Sequence, residues 1–122
     1  MLKSLFGLRQ QASHGDRKPI SQVTAQELHN MLKNDKSIVV VDVRTPREFE
    51  FDGHIAGSIL LPLQALRQRI DELPKDKTVV CVCRSGSRSQ SACGMLSQQG
   101  FSDVVNLRGG MIGWKMSKLP TK

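Results

Sequence analysis

At 122 residues the chain is long enough for one domain around one core and too short for two ordinary domains. Its 39% apolar and 24% charged residues exclude wholesale disorder. Eighteen Lys plus Arg against eleven Asp plus Glu leave a net charge of +7, which favours anionic partners. The chain has no Tyr, and its four Phe and one Trp are scattered, so the interleaved basic and aromatic platform of a single-strand binder is missing and no nucleic-acid partner is expected.

Met1 to Arg9 is amphipathic and basic without the apolar core of a secretory signal, and Gln10 to Pro19 is polar and without period. Residues 1–19 are therefore expected to be a flexible basic tail and 20–122 the folded domain. A cytoplasmic location follows by default, with an organelle transit peptide as the alternative because such leaders are also rich in Arg and Ser and poor in acids. The longest apolar stretch, Ile59 to Leu63, is broken by Pro62 and falls far short of the ~20 residues of a membrane span, so no membrane partner is expected. Three Cys is an odd number in a domain large enough to fold without staples, which argues against a disulfide framework and for a reducing compartment.

Thr24 stands three before Glu27 as a capping box, with Val23 and Leu28 placed as a hydrophobic staple, and Leu28, Met31 and Leu32 share one helical face. Ile38-Val39-Val40-Val41 is a β-branched run without alternation, the pattern of a strand buried on both faces of a parallel sheet. Thr45-Pro46-Arg47-Glu48 offers a second cap, and Leu63, Leu66, Ile70 and Leu73 mark a helix ended by Pro74. Thr78 to Cys83 reads as a second buried strand, Ser87 to Gln99 as a helix closed by Gly100, and Val104 to Leu107 as a further strand. Arg108-Gly109-Gly110 reads as a turn into a last short helix from Met111 to Lys118. Strand and helix alternate throughout, so the fold class is α/β, with a mainly parallel sheet that needs helices covering it.

The segment that carries chemistry is Cys83-Arg84-Ser85-Gly86-Ser87-Arg88, where a buried strand ends and a helix begins. Ligands of open α/β sheets bind at the carboxyl ends of strands, and a helix start there presents unpaired N–H groups and partial positive charge to an anion. Cys83, flanked by Arg84 and Arg88, is expected to be a thiolate at neutral pH and a nucleophile needing no dedicated base. Gly86 lets the chain turn back so that the amides converge, and Arg88 at the far end is placed to grip an oxyanion with two donors.

This loop resembles the active loop of the rhodanese family, a six-residue arc from Cys to Arg. The resemblance extends to Val41-Asp42-Val43-Arg44 with Glu48 and Phe49, to Gly53-His54-Ile55-Ala56-Gly57-Ser58-Ile59 running into Leu61-Pro62, and to Asn106-Leu107-Arg108-Gly109-Gly110 with Trp114. It covers about residues 20 to 118. It implies a rhodanese-like fold in which helices flank both faces of the sheet, and a sulfurtransferase in which Cys83 carries a sulfane sulfur as a persulfide. The amides from Arg84 to Arg88, thus also of Ser85, Gly86 and Ser87, would cradle that sulfur. The donor would be thiosulfate or a similar small anion, with sulfite departing and a thiophilic acceptor collecting the sulfur. Arg84 and Arg88 would stabilise the charged donor and the leaving group. No metal and no cofactor is implied, and a monomer is expected.

Asp42 and Arg44 read as a buried ion pair supporting the loop more readily than as substrate ligands, and His54 as a structural hydrogen-bonding residue. Cys81 reads as a small core residue and Cys93 as packed on the following helix, since the three Cys and a remote His form no zinc spacing. The rival enzyme is a phosphatase or arsenate reductase of related fold. Those relatives hold one more residue between Cys and Arg, whereas position 89 here is Ser and the loop has no acid to protonate a leaving alcohol. The other rivals are a binding module that docks a partner, and a relay that hands sulfur to an acidic protein acceptor.

Overall fold

The computed structural model describes residues 19–122. The expected tail lies, but for Pro19, outside the described residues. In chain order the elements are β1 (Ser21–Val23), α1 (Ala25–Asn34), β2 (Val39–Asp42), α2 (Pro46–Phe51), β3 (Ile59–Leu60) and α3 (Leu63–Arg69), the last prolonged by a 3-10 turn at Ile70–Glu72. Then follow β4 (Thr78–Val82), α4 (Ser87–Gln98), β5 (Asp103–Leu107) and α5 (Gly110–Met116). The five strands form one sheet in the order β1-β5-β4-β2-β3, and every pairing is parallel.

Both capping boxes form. Thr24 and Glu27 bond reciprocally at the start of α1, and Thr45 and Glu48 do the same for α2 behind Pro46. Gly100 takes the left-handed conformation expected of the residue that closes α4. The helix read as running from Leu63 to Leu73 tightens at Ile70, so that its last turn is 3-10.

The sheet is covered on both sides, as the unalternating strands require. Val41, Val79, Cys81 and Val104 point to one face and pack with Leu66 of α3 and with Ala92, Cys93 and Leu96 of α4. Val40, Val80, Val82, Val105 and Leu107 point to the other and pack with Ala25 and Leu28 of α1 and with Met111 and Trp114 of α5. The helices after β4 and β5, neighbouring strands, therefore leave toward opposite faces. Their loops part at the carboxyl edge of the sheet, where such a divergence opens a crevice.

The sequence pattern misses both edge strands. β1 has three residues and β3 two, and neither is buried, so neither carries the long apolar run that betrays β2, β4 and β5. Among the described residues no helix is long and apolar enough to cross a membrane.

Candidate active site

Cys83 is the first residue beyond β4, and its sulfur is the point on which the loop converges. Sγ accepts hydrogen bonds from the N–H of Gly86 at 3.1 Å and the N–H of Ser89 at 3.3 Å, with the Ser89 hydroxyl 3.4 Å away. These are the orphan donors of the α4 start, turned onto one atom. Gly86 makes the turn with φ at +110°, a conformation that a side chain disfavours.

A second helix start braces the loop from the far side. The N–H groups of Met111 and Ile112 donate to the carbonyls of Cys83 and Arg84 at 2.9 and 3.0 Å. Gly110 permits this approach, for a Cβ there would lie 2.5 Å from both carbonyl oxygens. The Gly109-Gly110 pair, read from the sequence as a plain turn, is thus part of the frame of the site.

Burial pushes the Cys83 thiol up, but the Ser89 hydroxyl, the Ser89 amide and the amides of Gly86 and Ser85 together outweigh it and bring the thiol below its ordinary range. The expected lowering is present, and its source differs from the flanking guanidiniums that the sequence suggested. Short-range donation to sulfur is stronger than a point charge farther off and screened by solvent.

Arg88 also departs from expectation. Its two terminal nitrogens donate to the two carboxylate oxygens of Glu48, each at 2.8 Å, so the bidentate grip foreseen for an oxyanion is filled by a residue of α2. Glu48 meanwhile accepts from the Thr45 N–H as part of its cap, and its carboxyl is held down to about 2, chiefly by Arg88 against the opposing effect of burial. The pair ties the end of the loop to α2. Arg84, by contrast, is exposed and makes no ion pair among the described residues. It lines an open pocket of about 320 Å³ together with Arg44, Asp52, Ile112 and Lys115. Ser85 and Ser87 form the exposed rim, with their hydroxyl oxygens 3.5 Å apart.

Asp42 and Arg44 form a buried pair, each 1% exposed, with Arg44 Nε and Nη2 on the carboxylate at 2.8 to 3.1 Å. Arg44 also donates to the carbonyl of Gly53 at 2.9 Å, tying the end of β2 to the turn after α2. His54 Nδ1 lies 2.9 Å from the carbonyl of Phe49 and its ring stacks on the Phe49 ring at 3.7 Å, which gives it a structural hydrogen bond. Cys81 and Cys93 are buried free thiols in the core on the α4 side. The neighbouring Cys93 sulfur, and then burial, push Cys81 well above its ordinary range.

Besides the glycine pair, Glu48, Ser89 and Asn106 escape sequence reasoning as parts of the site. Glu48 is legible as a helix cap, and nothing local ties it to a loop forty positions away. Ser89 lies just past the arc. Asn106, whose side chain meets the Ser89 hydroxyl, does leave a signal, because a lone amide inside an otherwise apolar buried strand demands partners.

The model of the rhodanese-like domain matches residues 24–117. The chain belongs to the rhodanese-like domain family. A protein of Allochromatium vinosum named sulfurtransferase is 41% identical over 101 residues, spanning 83% of this chain and 94% of that one. The thiosulfate sulfurtransferase GlpE of Pseudomonas syringae pv. syringae is 42% identical over 81 residues, spanning 66% of this chain and 76% of its own. Among solved structures, a rhodanese-related protein of Thermoplasma volcanium superposes with a TM-score of 0.75 at 35% identity, over 84% of this chain and 97% of that one.

Proposed function

We propose that the chain is a sulfurtransferase in which the Cys83 thiolate takes a sulfane sulfur from thiosulfate or a similar anionic donor and passes it to a thiophilic acceptor. The observation that carries this reading is the convergence of the Gly86 and Ser89 amides on Cys83 Sγ at the start of α4. The thiolate attacks the outer sulfur of thiosulfate, the S–S bond of the donor breaks, and sulfite leaves with the electron pair. The enzyme is left as a Cys83 persulfide, whose outer sulfur the acceptor thiolate then attacks, returning Cys83 as thiolate. Donors already aimed at Sγ need no reorganisation when charge collects there.

With Arg88 engaged by Glu48, Arg84 and its pocket neighbour Lys115 are cations unpaired among the described residues and placed to meet the donor, and because Cys83 is buried the loop rim must yield for the donor to reach sulfur. The surplus of positive charge suits an acidic protein acceptor equally well, and a relay of this kind uses the same persulfide. No metal or cofactor takes part in this scheme. If residues 1–18 are a tail, truncating them should leave turnover unchanged, and a large drop in steady-state rate would place that segment at the site.

The test is intact mass after incubation with thiosulfate, followed by cyanide as acceptor. One added sulfur that disappears as thiocyanate forms is the expected result. An unchanged mass with every donor tried would leave a docking module and remove the enzyme.

A further inference from the structure

Asn106 stands on β5 between Val105 and Leu107 and is 4% exposed, so its amide is costly unless every group is paired. All are. Nδ2 donates toward Gln22 Oε1 at 2.9 Å and Gln90 Oε1 at 3.0 Å, with the Gly86 carbonyl at 3.3 Å. Three acceptors on that side fix which way round the amide lies, and Oδ1 is left facing the Ser89 hydroxyl at 2.6 Å. Gln22 is the register partner of Asn106 on β1, and it donates in turn to Gln90 at 2.7 Å.

The Ser89 hydroxyl has one proton and three acceptors within reach: Asn106 Oδ1 at 2.6 Å, the Gly86 carbonyl at 3.1 Å and Cys83 Sγ at 3.4 Å. It can serve only one of them well. A neutral thiol sulfur is a weak acceptor, so with Cys83 protonated the proton belongs to Asn106. A thiolate makes a charge-assisted bond and competes for it.

We propose that Asn106 is a positioning residue, whose carbonyl oxygen parks the Ser89 proton while Cys83 is neutral and yields it to sulfur when the thiolate forms. The movement is a rotation about the Ser89 Cβ–Oγ bond. Ser89 keeps its own proton, and the proton of Cys83 leaves to solvent. The inference rests on the reading of Cys83 as a thiolate nucleophile. As a new S–S bond forms and charge leaves Sγ, the hydroxyl has Asn106 to return to, so the donor that stabilises the nucleophile does not hold it back.

The other charged or titratable groups about the loop, among the described residues, are Arg84 and Arg88 within it, Glu48 of α2, Asp52 just after α2, the Asp42–Arg44 pair, Arg108 after β5, Lys115 of α5, and the Cys81 and Cys93 thiols. None is changed by the variants that follow.

The experiment is the pH dependence of iodoacetamide alkylation of Cys83 in the full chain, with the labelled residue identified by mass. Asn106→Leu removes the parking acceptor and is expected to lower the midpoint of alkylation. Asn106→Asp holds the Ser89 proton harder and adds charge, and is expected to raise it by a unit or more, which is a tenfold loss of thiolate at a fixed pH below the midpoint. In a Ser89→Ala background the Asn106→Leu shift should vanish. If both Asn106 variants move the midpoint upward, or if the Asn106→Leu shift persists without the hydroxyl, Asn106 merely supports the loop and the proposal fails. Should Asn106→Leu not fold by thermal melting, Asn106→Asp compared with and without the Ser89→Ala substitution decides, because a shift of equal size in both overturns the relay. Alkylation needs no sulfur donor, so this outcome is independent of whether thiosulfate leaves a persulfide on Cys83.

Discussion

Cys81 and Cys83 are two residues apart on one strand line, point to the same side of the sheet and are each 0% exposed. Their thiols are nevertheless driven in opposite directions. Inside β4, Cys81 has the Cys93 sulfur and hydrocarbon around it, and its thiol is pushed up. One step past the strand end, Cys83 suffers burial too, but the loop turns the Ser89 hydroxyl and the amides of Ser89 and Gly86 onto its sulfur, and its thiol falls. Exposure therefore does not distinguish the proposed nucleophile from the packing residue in this molecule. The distinction lies in the donors that meet the sulfur, and at Cys83 they come from the place where a parallel strand hands over to a helix.

The most severe way to break the comparison is to exchange the two residues' fates. Cys83→Ser is expected to abolish sulfur transfer with the fold intact by circular dichroism. Cys81→Ala should keep most of the turnover and lose about 1 kcal/mol of stability in urea melts, the cost of a small core truncation. Turnover retained by Cys83→Ser would end the assignment.

A smaller effect is expected at the loop's anchor. Glu48→Gln and Arg88→Ala both release the loop from α2, so the two should slow turnover to a similar degree with every donor. Their double variant should be no worse than either single one, because both act through one ion pair. A loss confined to anionic donors in Arg88→Ala would restore Arg88 as a donor-binding residue.

Arg84→Ala sharpens the same contrast from the other arginine. Exposed and unpaired among the described residues, Arg84 is expected to affect the KM for thiosulfate while leaving attack on an uncharged persulfide donor unchanged, measured by steady-state kinetics.

The mildest prediction concerns acid. Glu48 is held down to about 2, below the ordinary carboxylate value, so the stability it lends is complete above the unfolded value, declines as pH falls below that value, and is gone once pH has fallen through about 2. NMR titration of Glu48 should therefore show the carboxylate still ionised at about pH 4, where ordinary surface Glu is roughly half protonated. A midpoint near the ordinary value would mean that the pair with Arg88 does not persist in solution.

Much of this molecule is legible in its sequence. The unalternating runs of β2, β4 and β5 announce a buried parallel sheet, and both capping boxes form at Thr24 and Thr45. The six-residue arc locates the buried Cys83 sulfur on which the loop converges and the turn at Gly86, because those depend on local chain geometry. What the sequence hides depends on distant segments meeting. The Arg88–Glu48 pair joins residues forty apart, and Asn106 reaches the loop only because β5 lies beside β4. The edge strands are hidden for another reason: β1 and β3 owe their conformation to the neighbours that they pair with and not to their own residues.

The most direct measurement of the central claim places the transferred sulfur on one of two adjacent thiols. Cys81 and Cys83 fall between Lys77 and Arg84 and so share one tryptic peptide. Fragmentation of that peptide from thiosulfate-treated protein, digested under conditions that preserve persulfides, reads the two positions separately. The account predicts the added sulfur on Cys83 alone, with Cys81 carrying none. Sulfur shared between them, or found on Cys81, would contradict it.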